Sequence, residues 1–182
     1  MLKIENLKEA LDDFSDKIVS DAKSNLERTG KVDTGKLKDT LTNLGVKVSK
    51  NSIEIGIKMM PYGAFIDKGV RGVGGVRKTT SGFKRTNNKG KMWKQKGGKS
   101  PYSFKEGVKP SVKHFVQWSN KRGLSPYAVR EAVYHQGIAP SHFLSNAVEE
   151  NIRSLSSVIQ NAFALDVQST VNFLIKSNFN TK

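Results

Sequence analysis

The 182-residue sequence contains no cysteine, only five prolines and half as many acidic as basic residues, 16 against 31. Without cysteine, neither a disulfide framework nor a thiolate metal site can form, which is compatible with a reducing compartment. No apolar run reaches the length of a signal peptide or a membrane span, so we expect a soluble protein made in a cytoplasm, with no membrane partner. The 36% hydrophobic content suffices for one core, which predicts a single domain over residues 1–182.

The shortage of acids leaves a net charge of +15, which favours a polyanionic partner, nucleic acid above all. The charge is concentrated: residues 70–110 hold 12 Lys or Arg against the single acid Glu106, and eight of the chain's sixteen glycines. We call residues 70–110 the basic arm. It shows no sustained helical or strand period, so we expect its backbone to be mobile in the isolated protein and to order on assembly.

The apolar pattern predicts an α+β fold. A long amphipathic N-terminal helix is expected over roughly residues 2–29, ending at Gly30. A small antiparallel sheet should include a hairpin at 42–58, because apolar residues alternate on both sides of a polar break. The alternating residues are Leu44, Val46 and Val48 before the break, and Ile53, Ile55 and Ile57 after it.

Helix start and stop signals define the remaining elements. Asp33 and Thr34 are candidate caps for a turn that begins near Gly35. A short helix is predicted at 61–68, starting at a proline and ending at Gly69. Two short helices form an inserted helical hairpin at 111–137; the first stops at Gly123, and the second opens at Ser125-Pro126 and stops at Gly137. A long C-terminal helix begins near 141 or 142 and extends to about 175.

The cations of the basic arm are candidates for contact with DNA, because a cationic strand carrying aromatic residues can follow a phosphate backbone. A solvated loop, or docking on an acidic protein surface, is an equally weighted alternative. The glycines at 72, 74 and 75 lack the ending of a phosphate-binding loop. The candidate residues are Arg77, Lys78, Lys84, Arg85, Lys89, Lys91, Lys94, Lys96 and Lys99, interleaved with Phe83, Trp93, Tyr102 and Phe104.

No group of residues in the sequence has the spacing of a catalytic or metal site. The histidines at 114, 135 and 142 show no metal-ligand spacing and are interpreted as surface or interface residues. Asp33 and Asp67 fit a cap and a surface or helix-end charge better than a catalytic pair. The sequence therefore predicts a protein that is not an enzyme and needs no cofactor or metal. Val116 and Trp118 cannot share one core face, so one of them is expected to meet the basic arm or another subunit.

Three short motifs occur in a characteristic order: DTGKL at 33–37, YGAFIDKG at 62–69 and IAPSHFLSNA at 138–147. In this order the chain resembles the tail-completion, or head–tail joining, family of tailed bacteriophages, also described as minor tail or neck proteins. The resemblance covers residues 1–70 and 138 to about 175. Asp67 stands where the family more often has glutamate, and Val70 where threonine is typical, so any hydrogen bond of that threonine is missing.

The resemblance implies a structural virion protein: a single tail-completion-like domain whose copies form a homo-oligomeric ring, of six or twelve copies, at the head–tail junction. The implied partners are portal or connector proteins, the tail tube or tail terminator, and phage DNA in the channel. The resemblance also implies that the virion is assembled in the bacterial host cytoplasm. The alternative is a sequence-nonspecific nucleic-acid-binding protein that uses the basic arm. The residues implied as frame and subunit contacts are Asp33, Thr34, Gly35, Tyr62, Phe65, Asp67, Gly69, Pro140 and Phe143.

Overall fold

A computed structural model describes residues 4–30, 33–49, 52–75 and 94–179, with side chains described as far as residue 174 in the last helix. The fold is α+β, as predicted. In chain order its elements are α1 (Glu5–Arg28), α2 (Lys36–Thr40), β1 (Thr42–Val48), β2 (Ile53–Lys58), α3 (Gly63–Lys68), β3 (Val70–Arg71), α4 (Lys113–Asn120), α5 (Pro126–Gln136), β4 (Gly137–Ile138) and α6 (Phe143–Phe179).

The chain divides into two compact units. We call residues 1–60 with 143–182 the helical unit, and residues 61–142 the basic unit. The sequence of the basic unit contains 17 Lys or Arg and three acids, whereas that of the helical unit contains 14 and 13. Nearly all of the net charge therefore belongs to one unit, +14 against +1. The expectation of a single domain remains a prediction.

The helical unit is organised by antiparallel packing of α1 on α6. The apolar residues that predicted an amphipathic α1 are buried, with Leu11 and Leu26 each 1% exposed. One cluster joins Leu7 and Leu11 to Val46 of β1 and Ala162 of α6. Burial of this apolar stripe supplies the main driving force for holding the two helices together.

Polar contacts set the alignment of these helices. The Asn25 side chain donates to the Phe143 carbonyl oxygen at 3.2 Å, near the end of α1 and the start of α6. Further along, Asn151 Nδ2 donates to Asp21 Oδ2 at 2.7 Å. Because buried polar groups are costly when unpaired, a one-turn slip of α6 along α1 would break these bonds.

Asp166 of α6 caps the start of α1. Ile4 precedes α1 and offers no side-chain cap. Instead, Asp166 Oδ1 accepts from the backbone and side-chain nitrogens of Asn6 at 3.0 and 2.8 Å, and Oδ2 accepts from the Leu7 amide at 2.9 Å. A carboxylate at this position satisfies otherwise unpaired amides and interacts favourably with the helix dipole. The cap is supplied across 159 residues of sequence.

The hairpin at 42–58 is confirmed, but its alternation is interrupted. The register shifts between Asn43, paired with Ile57, and Val46, paired with Ile55. Gly45 provides the bulge, with a φ of 82° that few other residues adopt easily. Leu44 is consequently 61% exposed although its pattern predicted half-burial, whereas Val46 is buried.

The bulge is held by a polar contact with α1. Asn43 Oδ1 accepts from the Ser15 hydroxyl at 2.9 Å and from the Gly45 amide at 2.7 Å. An asparagine thus occupies the α1-facing position that the apolar alternation assigned to leucine. The extra residue in the strand is the physical reason for the difference.

The predicted helix ends differ from the observed ones by only a few residues. Gly30, Gly69 and Gly137 follow α1, α3 and α5 with φ values of 63°, 73° and 82°. As expected, α5 opens with Ser125 before a proline at its first position. The short helix α3 begins at residue 63 rather than 61. Helix α2 begins directly after Gly35, which has a φ of 78°.

Asp166→Asn tests the cap, because it removes the charge and one of the two acceptor oxygens. Burial opposes ionisation of Asp166, but the hydrogen bonds from Leu7 and Asn6 outweigh it and lower the pKa below the ordinary 3.8. A lowered pKa in the folded state means that the carboxylate stabilises the fold above about pH 4, and that this contribution is lost as the pH falls through the folded-state pKa.

We therefore expect Asp166→Asn to lower the urea midpoint near pH 7 and to flatten the decline in stability with acidification. Glu150→Gln, at an exposed position of the same helix, is the matched control and should leave both unchanged. Identical pH profiles for wild type and Asp166→Asn would contradict the role of the carboxylate.

Candidate nucleic-acid interface

The described part of the basic unit presents a cationic surface. Lys94, Lys96 and Lys99, three of the predicted arm residues, are exposed. The other six, Arg77, Lys78, Lys84, Arg85, Lys89 and Lys91, lie outside the described residues. The remaining described cations are Lys68, Arg71, Lys105, Lys109, Lys113, Lys121, Arg122 and Arg130.

The acids of this unit offset little of that charge. Glu131 lies 2.9 Å from Lys109 Nζ and 2.7 Å from Arg130 Nη2. The hydrogen bond from Lys109 is the main reason that the pKa of Glu131 is lowered; burial opposes the change, and Arg130 adds to it. Asp67 is 4% exposed and is the penultimate residue of α3, so of its two predicted roles the surface charge is wrong and the helix-end position is confirmed. Glu106 is the exposed acid of the unit.

Both ends of the basic arm are held in place. The Arg71 amide donates to the Tyr102 carbonyl at 2.8 Å, and the Phe104 amide donates to the Arg71 carbonyl at 3.0 Å. The Ser100 hydroxyl donates to the Gly69 carbonyl at 2.7 Å. At residues 70–75 and 94–110, β3 thus provides hydrogen-bond partners that the local pattern does not reveal. The mobility expected of the isolated protein stays a prediction. Residues 76–93 lie outside the described part of the chain.

Three glycines allow backbones to pack directly on one another around β3. A Cβ on Gly72 would collide with the His135 carbonyl oxygen, and a Cβ on Gly97 or Gly137 would collide with the carbonyl oxygen of Val70. Gly72 therefore has a packing role rather than one in phosphate binding. The composition shows that glycine is frequent, but not which glycines lie against the backbone of a distant segment. Only the folded structure shows those contacts.

The second and third sequence motifs meet in this unit. The Ile66 carbonyl accepts from the Ser141 amide at 3.0 Å and from its hydroxyl at 2.8 Å. A Cβ on Gly69 would lie 2.6 Å from the Ile138 carbonyl oxygen and 2.8 Å from the nitrogen of Pro140. The segments at 62–69 and 138–142, widely separated in sequence, therefore form one close-packed assembly.

An open groove of about 600 Å³ lies beside this assembly. We call it the aromatic groove; it is lined by Tyr62, Phe65, Ile66, Val70, Pro101, Tyr102, Ser103, Phe104 and Ile138. The rings of Phe65 and Tyr102 meet edge to face, with centroids 4.6 Å apart at 75°. Phe104 also packs near Tyr134 at 6.1 Å.

Buried Tyr134 secures one wall of the groove. Its hydroxyl accepts from the Gly107 amide at 2.7 Å and donates to the Lys105 carbonyl at 3.3 Å. From the sequence, Phe65 is predicted to belong to the family frame, and Tyr102 and Phe104 are predicted to contact DNA. Their proximity in one groove is not predicted. Their convergence depends on the pairing of β3 with residues 102–104.

His135 and Trp118 each have a partner within the basic unit. His135 Nδ1 lies 2.6 Å from the Gly74 carbonyl oxygen, so the ring donates this bond. Val116 and Trp118 are 40% and 37% exposed, so neither is buried in a core. The Arg122 guanidinium lies 4.2 Å from the centre of the Trp118 ring, which is typical of a cation–π contact.

The remaining motif residues belong to the helical unit. Asp33 and Thr34 are exposed before α2. Phe143 is fully buried at the start of α6. Its side chain is therefore not exposed for contact with another subunit, whereas its role in the family frame stays a prediction. The residues of the three motifs are thus divided between the two units.

No protein-family model, curated protein or solved structure matches this chain. Over the described ranges, no three His, Cys, Asp or Glu side chains are grouped so as to hold a metal ion. Within the same ranges, no helix combines the length and apolar character needed to cross a membrane.

Gly97→Ala tests the close packing that shapes the groove. Gly97 does not have a positive φ, so the effect of the methyl group is a steric collision with the backbone at residue 70. We expect a loss of about 3 kcal/mol in the free energy of unfolding. Gly98→Ala is the control: its Cβ meets open space, and its positive φ alone costs about 1 kcal/mol. Equal losses in urea unfolding would contradict the packing role.

Proposed function

We propose that this protein is a structural virion component of a tailed bacteriophage, forming a homo-oligomeric ring in the neck that joins or completes the head–tail connection around the DNA channel. The proposal rests on the motif resemblance, on the α+β fold that the resemblance implies, and above all on the segregation of charge. A channel protein needs a surface that tolerates DNA and another through which like copies associate.

The basic unit provides the DNA-facing element in this proposal. Its charge of +14 attracts phosphates without reading base sequence. The basic arm contacts the genome or a neighbouring ring. Portal or connector proteins and the tail tube or terminator are the other partners. No catalytic step, cofactor or metal enters the proposal.

The helical unit provides the contact between copies. Its net charge of +1 limits repulsion between identical chains. From 154 to 175 the only charged residue is Asp166, which is already engaged at the start of α1. On the same stretch, four apolar residues recur at steps of four, four and three: Phe163, Val167, Val171 and Leu174. Their side chains and that of Phe173 are 38–69% exposed. This apolar stripe suits contact with a second copy.

Val167→Lys tests assembly, because a charge placed in an apolar contact between copies is costly to desolvate. We expect wild-type protein to form closed rings in negative-stain electron microscopy, and the variant to shift to monomers in native mass spectrometry. Gln168→Lys adds the same charge at an exposed position one residue away and should preserve the ring. Rings of equal abundance in both variants would contradict the stripe, and a monomeric wild type would contradict the proposed function.

The second candidate is a free, sequence-nonspecific nucleic-acid-binding protein, which the charge of the basic unit also favours. Replacing residues 76–93 with a short Gly-Ser linker removes six Lys or Arg. If the intact monomer binds duplex DNA through all six of these cations, its DNA-binding constant K falls steeply with salt. The replacement should then reduce the magnitude of the slope of log K against log salt concentration by about 5. Tight binding by the monomer with that change favours the second candidate; weak, unaltered binding together with ring formation favours the first.

A further inference from the structure

We propose that the aromatic groove of the basic unit binds unpaired bases of a single-stranded nucleic acid by stacking. This inference concerns the isolated chain and does not depend on ring formation. The residues that would bind the bases line the groove and are not the predicted cations of the basic arm. The proposed contact is with bases, whereas the cations would contact phosphates.

The groove has a volume and an aromatic lining that suit a planar base. Its volume of about 600 Å³ falls within the range of about 300–1,000 Å³ typical of pockets for small molecules. Tyr62 is 39% and Phe65 is 41% exposed, so part of each ring is available. The edge-to-face pairing of Phe65 with Tyr102 fixes both rings yet covers at most one face of one of them.

The residues around the groove add charge to this aromatic surface. None of the described residues that line the groove is charged. Four exposed cations each lie within two residues in sequence of a residue that lines the groove: Lys68, Arg71, Lys99 and Lys105. Among the described residues, none of the four forms an ion pair. Exposed aromatics beside cations are the combination that single-strand-binding proteins use, with bases on the rings and phosphates on the charges.

Charge complementarity favours a nucleic acid over an apolar protein segment in this groove. An apolar segment, such as the stripe on α6 of a second copy, would enter a unit of charge +14 without neutralising it. A nucleic acid matches both the positive charge of the unit and the aromatic lining of the groove. Its phosphates neutralise the charge with favourable release of counterions. The bases of a duplex are already stacked on one another, so a groove that takes a base selects the unpaired strand.

Fluorescence anisotropy of the full chain with end-labelled strands tests the proposal. The probes are an oligothymidylate of about 12 nucleotides, within the usual range of site sizes, and an abasic strand of the same length and charge. We expect wild type to bind the base-bearing strand at least about fivefold more tightly than the abasic strand. Phe65→Leu keeps the apolar volume but removes the π face, and should abolish that preference while leaving affinity for the abasic strand unchanged.

Tyr127→Leu is the matched control, since Tyr127 is a 63% exposed aromatic of the same unit that does not line the groove. It should retain the preference. Tyr62→Leu, at a second exposed groove position, provides the same test if Phe65→Leu fails to fold by circular dichroism. Equal binding of the two strands by wild type, or an unchanged preference in the folded groove variant, would overturn the proposal. A change of oligomeric mass without any base preference would assign the groove to a second copy instead.

Discussion

The antiparallel contact between α1 and α6 is the interaction on which the helical unit depends. It joins segments from opposite ends of the chain, buries the apolar stripe of α1 and lets Asp166 satisfy amides at the start of that helix. Hydrophobic burial supplies the driving force, whereas the polar pairs select the register of the two helices. The hairpin then completes the core through Val46, and the bulge at Gly45 turns Asn43 rather than Leu44 toward α1.

In the basic unit the corresponding constraint is close backbone packing around β3. Gly72, Gly97 and Gly137 remove the side chains that would keep three segments apart. The direct pairing that results fixes the positions of Phe65 and Tyr102, which come from different segments. The groove therefore depends on the close backbone packing that the glycines allow, and not on a contiguous motif. This is also why one end of the glycine-rich arm, which looked irregular as a sequence, forms a packed wall.

Charge segregation connects this architecture to the proposed function. One unit combines nearly balanced charge with an exposed apolar helical stripe, which suits association with like copies. The other combines high positive charge with an aromatic groove, which suits a polyanion carrying planar bases. A neck ring around DNA makes use of both properties, and binding of unpaired bases would add a second mode of contact with the genome.

Local signals along the chain predicted amphipathic α1, the hairpin at 42–58, the start of α5 at Ser125-Pro126 and the glycine that follows that helix. Such signals depend on residues a few positions apart, where periodicity and capping act. Four further features are visible only in the folded chain: the burial of Asp67, the exposure of Leu44, the cap from Asp166 and the convergence of aromatics in the groove. Each depends on partners distant in the chain, and no local pattern specifies which distant backbone will supply a hydrogen bond or exclude a side chain.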